Sequence, residues 1–438
     1  MTAVIYPNTN LKATEQLLFD RGEGVYLYDQ QGKQYLEGMA GLWCTGLGYG
    51  NRELIDAISE QLSRMSFTHM FGGKSHQPGI DLANKLAEMV PVDDARVFFG
   101  NSGSDANDTH IKLLRYYFNA TGQPAKRKII TRERAYHGVS VAAGSLTSLP
   151  ANLAHFDSPL DALGVLRTDH PHYYRGAAEG ETESAFVARI TTNLEKLIER
   201  EGPDTIAAFV AEPITGASGV IVPPAGYYER VQAILDKHDI LFWADEVITG
   251  FGRTGKLFGC DTMHIQRPAQ MTFAKQLSSA YYPISAAVIR GDMYQAMVEP
   301  SAAVGVFGHG YTYSGHPVGC AAALKTLEIY ERDNIYANAA SVGAYLQSRL
   351  AELKDHEKVG EVRGAGLIGA VELVEDKTSK APAVELAKRI TLLCQDNGLI
   401  VRNVAGCTLA VCPPMIITRE QVDELMDKLT LSMSQALQ

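Results

Sequence analysis

The stretch ILFWADEVITGFGRTGKLFGCDTMHIQRPAQMTFAK, residues 240–275, decides how this chain folds. It contains two short apolar runs: residues 240–244 end on Asp245 and a neighbouring glutamate, and residues 271–274 end on Lys275. Short apolar runs without helix signals are typical of buried strands in a parallel sheet. Because ligands bind beyond the carboxyl ends of such strands, we expect the acid and the amine to meet at one rim of one sheet.

The presence of Lys275 at the buried end of an apolar strand requires a chemical explanation. A buried ammonium group is unfavourable unless it is paired, deprotonated or chemically modified. A Schiff base with a carbonyl cofactor removes this difficulty, and the carbonyl cofactor that also requires an anion opposite it is pyridoxal phosphate (PLP). The residues therefore indicate Lys275 and Asp245 as a catalytic pair around PLP.

The sequence before this stretch alternates strands and helices in the βαβ order of a parallel sheet. An apolar strand over residues 206–211 ends on Glu212, and a helix over 225–238 leads into the strand that starts at residue 240. Glu212 is thus another carboxylate at the end of a predicted strand.

A candidate phosphate site lies earlier in the chain. A short strand over 97–99 ends in the turn GNSGSDA, residues 100–106, and a helix from Asn107 to about Asn119 follows. Backbone N–H groups at such a turn, with the positive end of a helix, can bind a phosphate. Ser-Gly turns also cap helices that bind no ligand, so the turn alone leaves both interpretations open.

The segment GFGRTGK, residues 250–256, matches G-x-G-x-x-G and the beginning of a P-loop. Its context argues against a nucleotide site, because Leu257 stands where a P-loop needs Ser or Thr and no helix follows. We predict a tight, flexible loop here. A nucleotide-binding protein that uses this segment is the remote alternative from another functional class.

Three further side chains have two interpretations each. Tyr136, after a strand over 128–131, could stack on a heteroaromatic ring or cap a turn. Trp43, beside several glycines, could be core packing or an aromatic wall next to a ligand. Arg402, at the end of an apolar strand, could bind a carboxylate or form a surface salt bridge.

The remaining sequence predicts a second, smaller α+β domain. After a glycine-rich loop over 308–317 come long helices to about residue 353, one strand over 359–374, and one strand over 399–402. A hairpin over 24–36 is predicted near the N-terminus. We therefore divide the chain into an N-terminal part of the small domain (1–55), a large PLP-binding domain (56–318) and a C-terminal part of the small domain (319–438).

Composition excludes several classes of protein. The 438 residues exceed one ordinary core, and the formal charge of −10 without a basic block argues against nucleic acid. We expect no membrane span, no signal peptide and a cytoplasmic protein whose six scattered cysteines are reduced. His170-Pro171-His172 lacks nearby carboxylates, so we expect no metal.

Taken together, these segments resemble the class III aminotransferases, the ω-transaminase branch of the fold-type-I PLP enzymes. The resemblance covers residues 15 to about 435, and the joint order and spacing of the matching segments is specific. Those segments are Gly41–Trp43, Asn101–Asp108, Tyr136–Gly138, Glu212–Pro213, Asp245–Gly255, Ala274–Lys275, Thr312–Pro317, Arg402 and Pro413–Pro414.

The resemblance implies a fold and a set of residue roles. The fold is α/β, with a mostly parallel seven-stranded sheet flanked by helices in the large domain and a smaller α+β domain built from both termini. Lys275 forms the Schiff base and moves the substrate proton, while Asp245 pairs with the pyridine nitrogen. The implied cofactor-binding residues are Ser102, Gly103, Ser104, Tyr136, His137, Glu212, Asp245, Val247, Lys275 and Thr312; the implied substrate-binding residues are Trp43, Phe71, Tyr136, Ala217 and Arg402.

Within these sets, Tyr136 and Val247 are expected to sandwich the cofactor ring, and Gly103 and Ser104 to hold its phosphate. Thr312 is expected to reach the phosphate in a neighbouring subunit. That role makes a homodimer the minimal active unit, with the active sites at the subunit interface, and leaves a tetramer open.

The implied reaction moves an amino group from a primary amine or ω-amino acid to a keto acid. Pyruvate is the expected acceptor, and the two half-reactions form a ping-pong mechanism through a Lys275 aldimine and pyridoxamine phosphate. An aminomutase or a dialkylglycine-type decarboxylase is the alternative on the same scaffold. The chain departs from the family pattern at Asp105, where Glu is usual, and at Gln276, where Gly or Ala is more common.

Overall fold

The computed structural model describes residues 3–12 and 16–438. Within these residues, the strands in chain order are β1 (Phe19–Glu23), β2 (Tyr26–Asp29), β3 (Gln34–Glu37), β4 (Arg96–Gly100), β5 (Lys128–Arg132), β6 (Val165–Thr168), β7 (Ile206–Ala211), β8 (Leu241–Asp245), β9 (Gln270–Phe273), β10 (Ser285–Ile289), β11 (Val359–Ala365), β12 (Ile368–Leu373), β13 (Leu399–Ile400), β14 (Arg402–Val404) and β15 (Thr408–Val411).

The helices of the same residues are α1 (Ala40–Trp43), α2 (Arg52–Arg64), α3 (Gln77–Met89), α4 (Gly103–Ala120), α5 (Val141–Leu146), α6 (Pro150–Leu153), α7 (Tyr173–Gly176), α8 (Glu183–Glu201), α9 (Tyr227–Lys237), α10 (Gly259–Thr262), α11 (Gly291–Val304), α12 (Pro317–Arg332), α13 (Ile335–Ala351), α14 (Val384–Asp396) and α15 (Arg419–Ala436). Short 3₁₀ turns occupy Asp161–Leu163, Pro203–Thr205, Lys275–Ser278 and Glu352–Asp355. No helix within the described ranges is long and apolar enough to span a membrane.

The large sheet has seven strands in the order β4-β10-β9-β8-β7-β5-β6, and only β10 runs against the others. Alternate residues of its central strands enter two apolar clusters. Phe209 and Phe242 lie in a cluster with side chains of α8 and α9, while Val210 and Trp243 lie in one with side chains of α4. Helices therefore cover both faces, which explains why β7, β8 and β9 are apolar almost throughout. The predicted α/β fold class is confirmed.

Two smaller four-stranded sheets complete the fold, in the orders β1-β2-β3-β13 and β11-β12-β15-β14. β13 pairs in parallel with β3, with Leu399 opposite Leu36. This pairing supports the proposal that segments 1–55 and 319–438 belong to one small domain, although the limits of that division stay a prediction.

The structure corrects three element boundaries. Helix α4 begins at Gly103 and not at Asn107, because Ser102 and Asp105 form a capping box at its start. The predicted single strand over 359–374 is the antiparallel hairpin β11–β12, whose turn includes Gly366 with φ of +54°. The predicted strand over 399–402 is divided at Val401, so that β13 and β14 belong to different sheets.

The loop 250–256 packs against the hairpin turn between β11 and β12. The Arg253 side chain is fully buried, and its Nη1 donates hydrogen bonds to the carbonyls of Leu367 at 3.1 Å and Pro413 at 2.6 Å. A methyl group at Gly366 would lie 2.3 Å from the backbone carbon of Thr254. The glycines of this segment therefore permit close backbone packing, and its arginine fixes the loop to the C-terminal segments.

We predict that Arg253→Ala lowers the free energy of unfolding by about 3 kcal/mol, because two buried carbonyls lose a charged donor and a cavity opens. Urea unfolding of the cofactor-loaded protein measures this change. Lys256→Ala in the same loop is the control, since Lys256 is exposed and only contacts the Asp261 carbonyl at 3.3 Å. Equal, small effects of the two substitutions would show that Arg253 does not anchor the loop.

Candidate active site

Three neighbouring strands deliver ionisable side chains to one rim of the large sheet. β7 is followed by Glu212, β8 ends on Asp245, and Lys275 lies two residues after β9. The three strands are parallel and adjacent, with Asp245 opposite Thr272 in the ladder. Since parallel strands end at the same edge, the chain direction alone brings these three side chains together.

Asp245 is a buried carboxylate with two side-chain donors on one oxygen. His137 Nδ1 lies 2.8 Å from Asp245 Oδ2, and Asn107 Nδ2 donates to the same oxygen at 3.0 Å. Oδ1 accepts a hydrogen bond from the Val247 amide at 3.2 Å. Burial favours the neutral acid, but these hydrogen bonds outweigh it and hold the pKa of Asp245 below its ordinary value. The side chain is thus an anion with acceptor capacity left on Oδ1.

A chain of hydrogen bonds orients Asn107 behind Asp245. Asn107 Nδ2 also donates to the His137 carbonyl at 2.6 Å, and its Oδ1 accepts from Thr272 Oγ1 at 2.7 Å. Trp243 Nε1 donates to the same threonine hydroxyl at 2.8 Å. The amide of Asn107 therefore has its donor and acceptor fixed by buried partners, which holds its N–H against the carboxylate.

Lys275 begins the 3₁₀ turn after β9 and has a φ of +46°, a left-handed conformation that is uncommon for a lysine. No residue of the described chain forms a hydrogen bond or an ion pair with its Nζ atom. Burial lowers the pKa of the ammonium group, with Cys44, Asp245 and Glu212 acting in the opposite direction. A lowered pKa increases the share of neutral amine, which is the nucleophilic form of lysine.

Glu212 is held by the backbone around it. Its Oε1 accepts from the Tyr136 amide at 3.1 Å, and its Oε2 accepts from the Gly216 amide at 3.0 Å. Burial raises the pKa of this carboxyl group. No ion pair joins it to Arg402, whose half-buried guanidinium has no hydrogen-bond partner within the described residues. Burial also lowers the pKa of Arg402, and Tyr136 opposes this effect.

The first turn of α4 has the form of an anion site. The Ser102 side chain caps the Asp105 amide, and the Ser102 carbonyl accepts from the Ala106 amide. The amides of Gly103 and Ser104 precede the first intrahelical bond, so they remain available to a ligand. Asp105 is itself engaged: its carboxylate accepts from the amides of Asn101 and Ser102 and from the Ser285 hydroxyl. The shorter Asp105 side chain thus serves the turn as a cap.

These elements enclose one cavity of about 110 Å³. Its walls combine the amide turn, a flat aromatic ring, an aliphatic side chain and the ionisable rim; the lining residues are Gly103, Ser104, Asn107, Tyr136, His137, Gly138, Glu212, Asp245, Val247, Ile248 and Lys275. Gly103 leaves room for the Val247 side chain, since a Cβ at position 103 would lie only 3.0 Å from Val247 Cγ2.

The structure brings together eight of the predicted site residues in this cavity and places the others outside it. The Ser102 side chain caps the N-terminus of α4. Trp43 packs in a buried cluster with Ile248, which lines the cavity. Phe71 lies against Gly310, and Thr312 is exposed in the same loop. Ala217 and Arg402 are half-buried near the rim.

Sequence reasoning missed Asn107, Gly138 and Ile248 as lining residues. A signal for Asn107 existed, because it lies one helical turn after Gly103 on the same face of α4.

A second cluster of ionisable groups lies around His172, and it corrects the expectation that this histidine has no carboxylates near it. His172 Nε2 is 2.8 Å from Glu361 Oε2, and Glu372 completes a set whose ligand atoms lie within 4.8 Å of one another. Arg363 donates to both carboxylates at 2.5 and 2.6 Å, and Arg175 donates to Glu372 at 2.5 Å. Two guanidinium groups already satisfy the carboxylates, so the cluster is a buried ion-pair network between α7 and the β11–β12 hairpin.

The donors and acceptors of the cavity fit PLP. The carboxylate of Asp245 suits a protonated ring nitrogen, the amide turn of α4 suits a phosphate, and the unpartnered amine of Lys275 suits a carbonyl. Tyr136 and Val247 supply flat and aliphatic surfaces for a ring. The ring nitrogen, the phosphate and the carbonyl of the cofactor thus each have a partner of matching chemistry in one cavity.

Comparison with known proteins agrees with a site for PLP. The family model Aminotransferase class-III matches residues 8–433. A chloroplastic gamma aminobutyrate transaminase 3 of Solanum lycopersicum is 45% identical over 418 residues, covering 94% of this chain and 80% of that protein. A crystal structure of the omega transaminase from Pseudomonas jessenii in complex with PMP has a TM-score of 0.96 at 46% identity, covering 99% of this chain and 96% of the other. A structure described as a transaminase with L-ala has a TM-score of 0.94 at 48% identity, covering 96% of this chain and 99% of the other. This chain belongs to the class III aminotransferases and is a PLP-dependent enzyme of that family.

Proposed function

We propose that the enzyme transfers an amino group from a primary amine or ω-amino acid to a keto acid, with pyruvate as the acceptor, in two half-reactions that share one site. One observation carries the proposal: the unpartnered Lys275 amine and the buried Asp245 anion line the same cavity, which Tyr136 and Val247 also line. The gamma aminobutyrate transaminase relative supports an ω-amino acid donor, and the transaminase described with L-ala supports the pyruvate–alanine pair.

The residue roles follow from the contacts. PLP, when bound, supplies the electron sink that stabilises charge at the substrate carbon and stores the amino group between the half-reactions. Asp245 stabilises the protonated ring nitrogen of the cofactor through its Oδ1 atom. The amides of Gly103 and Ser104 bind the phosphate. Lys275, whose lowered pKa favours the neutral amine, takes and returns the substrate proton at its Nζ atom.

Arg402 is proposed to bind the substrate carboxylate. Its guanidinium is half-buried and has no partner in the described chain, and Tyr136 is near enough to raise its pKa against the effect of burial. An arginine without a fixed partner can turn toward a substrate carboxylate or away from an apolar amine. Its guanidinium forms hydrogen bonds in both positions, with the substrate in the first and with water in the second. This mobility would let one pocket accept keto acids and simple amines in turn.

Other class III chemistry on the same scaffold, an aminomutase or a dialkylglycine-type decarboxylase, is the second candidate. An aminomutase forms no alanine from pyruvate, and a dialkylglycine-type decarboxylase releases one CO₂ for each alanine that it forms. Simple transamination is therefore identified by one alanine for each donor consumed without release of CO₂.

We predict that Lys275→Ala removes the visible absorbance of the covalently held cofactor and lowers turnover by at least about 10²–10⁴-fold, because the nucleophile and proton carrier are lost. Absorbance spectra and alanine formation from an amine and pyruvate measure both effects. Lys196→Ala on the exposed face of α8 is the control and should match the wild type. Turnover of Lys275→Ala at the wild-type rate would refute the role of this lysine.

Arg402→Ala should slow the half-reactions of pyruvate and ω-amino acids roughly a hundredfold, because a charged hydrogen-bonded pair contributes about 3 kcal/mol. The half-reaction of an arylalkyl amine should change little. Stopped-flow spectra of each half-reaction separate the two substrate classes. Arg389→Ala, an exposed arginine of α14, is the control for loss of a positive charge. An equal loss for all substrates would contradict the carboxylate role.

The same proposal includes a homodimer, which could pair into a tetramer. Thr312 is exposed in the single chain and lies outside its own cavity, as expected for a residue that acts in a neighbouring subunit. Phe71, in contact with the same loop at Gly310, is also 45% exposed.

Complementation tests this arrangement. We expect Thr312→Ala and Lys275→Ala each to be inactive at limiting PLP, and the co-expressed pair to regain activity, since a mixed dimer contains one site with both residues intact. Asp245→Ala co-expressed with Lys275→Ala is the control and should stay inactive, because both residues belong to one cavity. No gain with Thr312→Ala would place the threonine outside the partner's site.

A cytoplasmic location also stays a proposal, supported by the composition alone. The relative from Solanum lycopersicum described above is a chloroplastic protein.

A further inference from the structure

Glu37, at the end of β3, is a buried carboxyl group that the proposed reaction does not use. Its side chain is 2% exposed, and burial raises its pKa to about 7. The titratable groups that face it are Tyr49, Cys44 and Cys412, and it forms no ion pair with any residue of the described chain. A carboxyl group in such surroundings acts through its hydrogen bonds.

Those hydrogen bonds hold the turn that follows β3. Glu37 Oε1 accepts from the Met39 amide at 2.8 Å, and Oε2 accepts from the Tyr49 hydroxyl at 3.2 Å. Tyr49 is itself fixed, because its amide and carbonyl both pair with Gly24. The carboxyl group therefore connects the beginning of the turn with a rigid point twelve residues later.

The turn includes the short segment α1, whose backbone is strained and departs from helical geometry at Gly41 and Leu42. Ala40, Gly41 and Trp43 all have positive φ, of 45°, 64° and 64°, and only one of the three is a glycine. Left-handed conformations at other residues are unfavourable and persist only where surrounding contacts impose them. The contact of Glu37 with the Met39 amide is placed at the start of this strained segment, where it can impose that shape.

Trp43, at the end of the turn, packs in the cluster behind one wall of the active-site cavity. It is 2% exposed and packs in one cluster with Ile248, which lines the cavity, and Val404, two residues after Arg402. The backbone just before the turn is also bonded to the segment that carries Arg402, because the Gly38 amide donates to the Ile400 carbonyl at 2.9 Å. A change in the turn would therefore move Trp43 relative to the proposed substrate pocket.

We propose that Glu37 is a positioning residue for substrate selection: its carboxyl group holds the turn 39–43, fixes Trp43 as a wall of the pocket and so limits the size of the amine donor. This inference rests on the proposed function and on the contact with the donor that the family resemblance implies for Trp43. Glu37 itself touches neither substrate nor cofactor. Its effect reaches the reaction through the placement of one indole ring.

Three substitutions separate the hydrogen bonds from the charge. Glu37→Gln keeps an acceptor for the Met39 amide and should behave like the wild type. Glu37→Ala removes both hydrogen bonds, and Glu37→Asp draws the acceptor back by one methylene group. Glu23→Gln, an exposed carboxylate on β1, is the control for loss of a negative charge.

Donor selectivity is the first measurement, with isopropylamine as the small donor, 1-phenylpropylamine as the bulky donor and pyruvate as the acceptor. We expect the ratio of kcat/KM, bulky over small, to rise at least about tenfold in Glu37→Ala, the lower end of what one methylene group controls in an apolar pocket. The change should fall mainly on KM, and the bound cofactor should keep its visible absorbance. Glu37→Asp should change in the same direction, and Glu37→Gln should stay within about twofold of the wild type.

Tryptophan fluorescence of the full-length, cofactor-loaded protein is the second measurement. The chain has two tryptophans, and the signal of Trp43 is obtained by subtracting the Trp43→Phe variant, which retains the buried Trp243. Acrylamide should quench Trp43 more strongly in Glu37→Ala than in the wild type or in Glu37→Gln.

Unchanged quenching or an unchanged donor ratio in Glu37→Ala would each overturn the proposal, as would a Glu37→Gln variant that behaves like Glu37→Ala. If Glu37→Ala does not fold, the comparison of Glu37→Asp with Glu37→Gln decides by the same criteria. A wild-type enzyme that binds PLP but converts neither these amines nor an ω-amino acid would contradict the proposed function, whereas the quenching measurement would still test the hold of Glu37 on Trp43.

Discussion

The burial of the Asp245 carboxylate is the constraint on which the rest of the site depends. A charge removed from water has to be compensated by fixed donors, and here His137 and Asn107 provide them on one oxygen. These donors come from the segment after β5 and from α4, so both must be in register with the end of β8. The hydrogen bonds that stabilise the buried carboxylate on Oδ2 also leave its Oδ1 atom free to accept a further hydrogen bond. Stability and chemistry are served by the same hydrogen bonds.

Much of the large sheet follows from sequence, because strand ends in a parallel sheet share one edge. The apolar runs before Glu212, Asp245 and Lys275 predict three neighbouring strands, and the structure places the three side chains along one cavity. The G-x-G-x-x-G segment is a loop, as predicted, but the prediction that it is flexible was wrong, because the buried Arg253 fixes it through two carbonyl partners. The roles given to the individual site residues stay predictions that the geometry supports.

Features that depend on distant partners could not be predicted from sequence. Asn107 looks like an ordinary polar residue of a first helical turn, and its importance comes from Asp245, 138 positions later. The contact between His172 and Glu361 could not be predicted, because 189 positions separate the two residues. The hairpin turn at Gly366 was missed since the apolar pattern continues through it, although a backbone contact with Thr254 leaves no room for a side chain there. In each case the feature depends on a residue that is distant in the sequence, which a local pattern does not reveal.

The division between β13 and β14 at Val401 has an evolutionary consequence. One residue separates a strand that pairs beside Glu37 from a strand that carries Arg402. An insertion or deletion in this segment would shift the arginine by a residue and turn it to the opposite side of its strand. Relatives that diverge in substrate range are therefore expected to keep the length of residues 399–404 constant and to vary by replacing side chains around it.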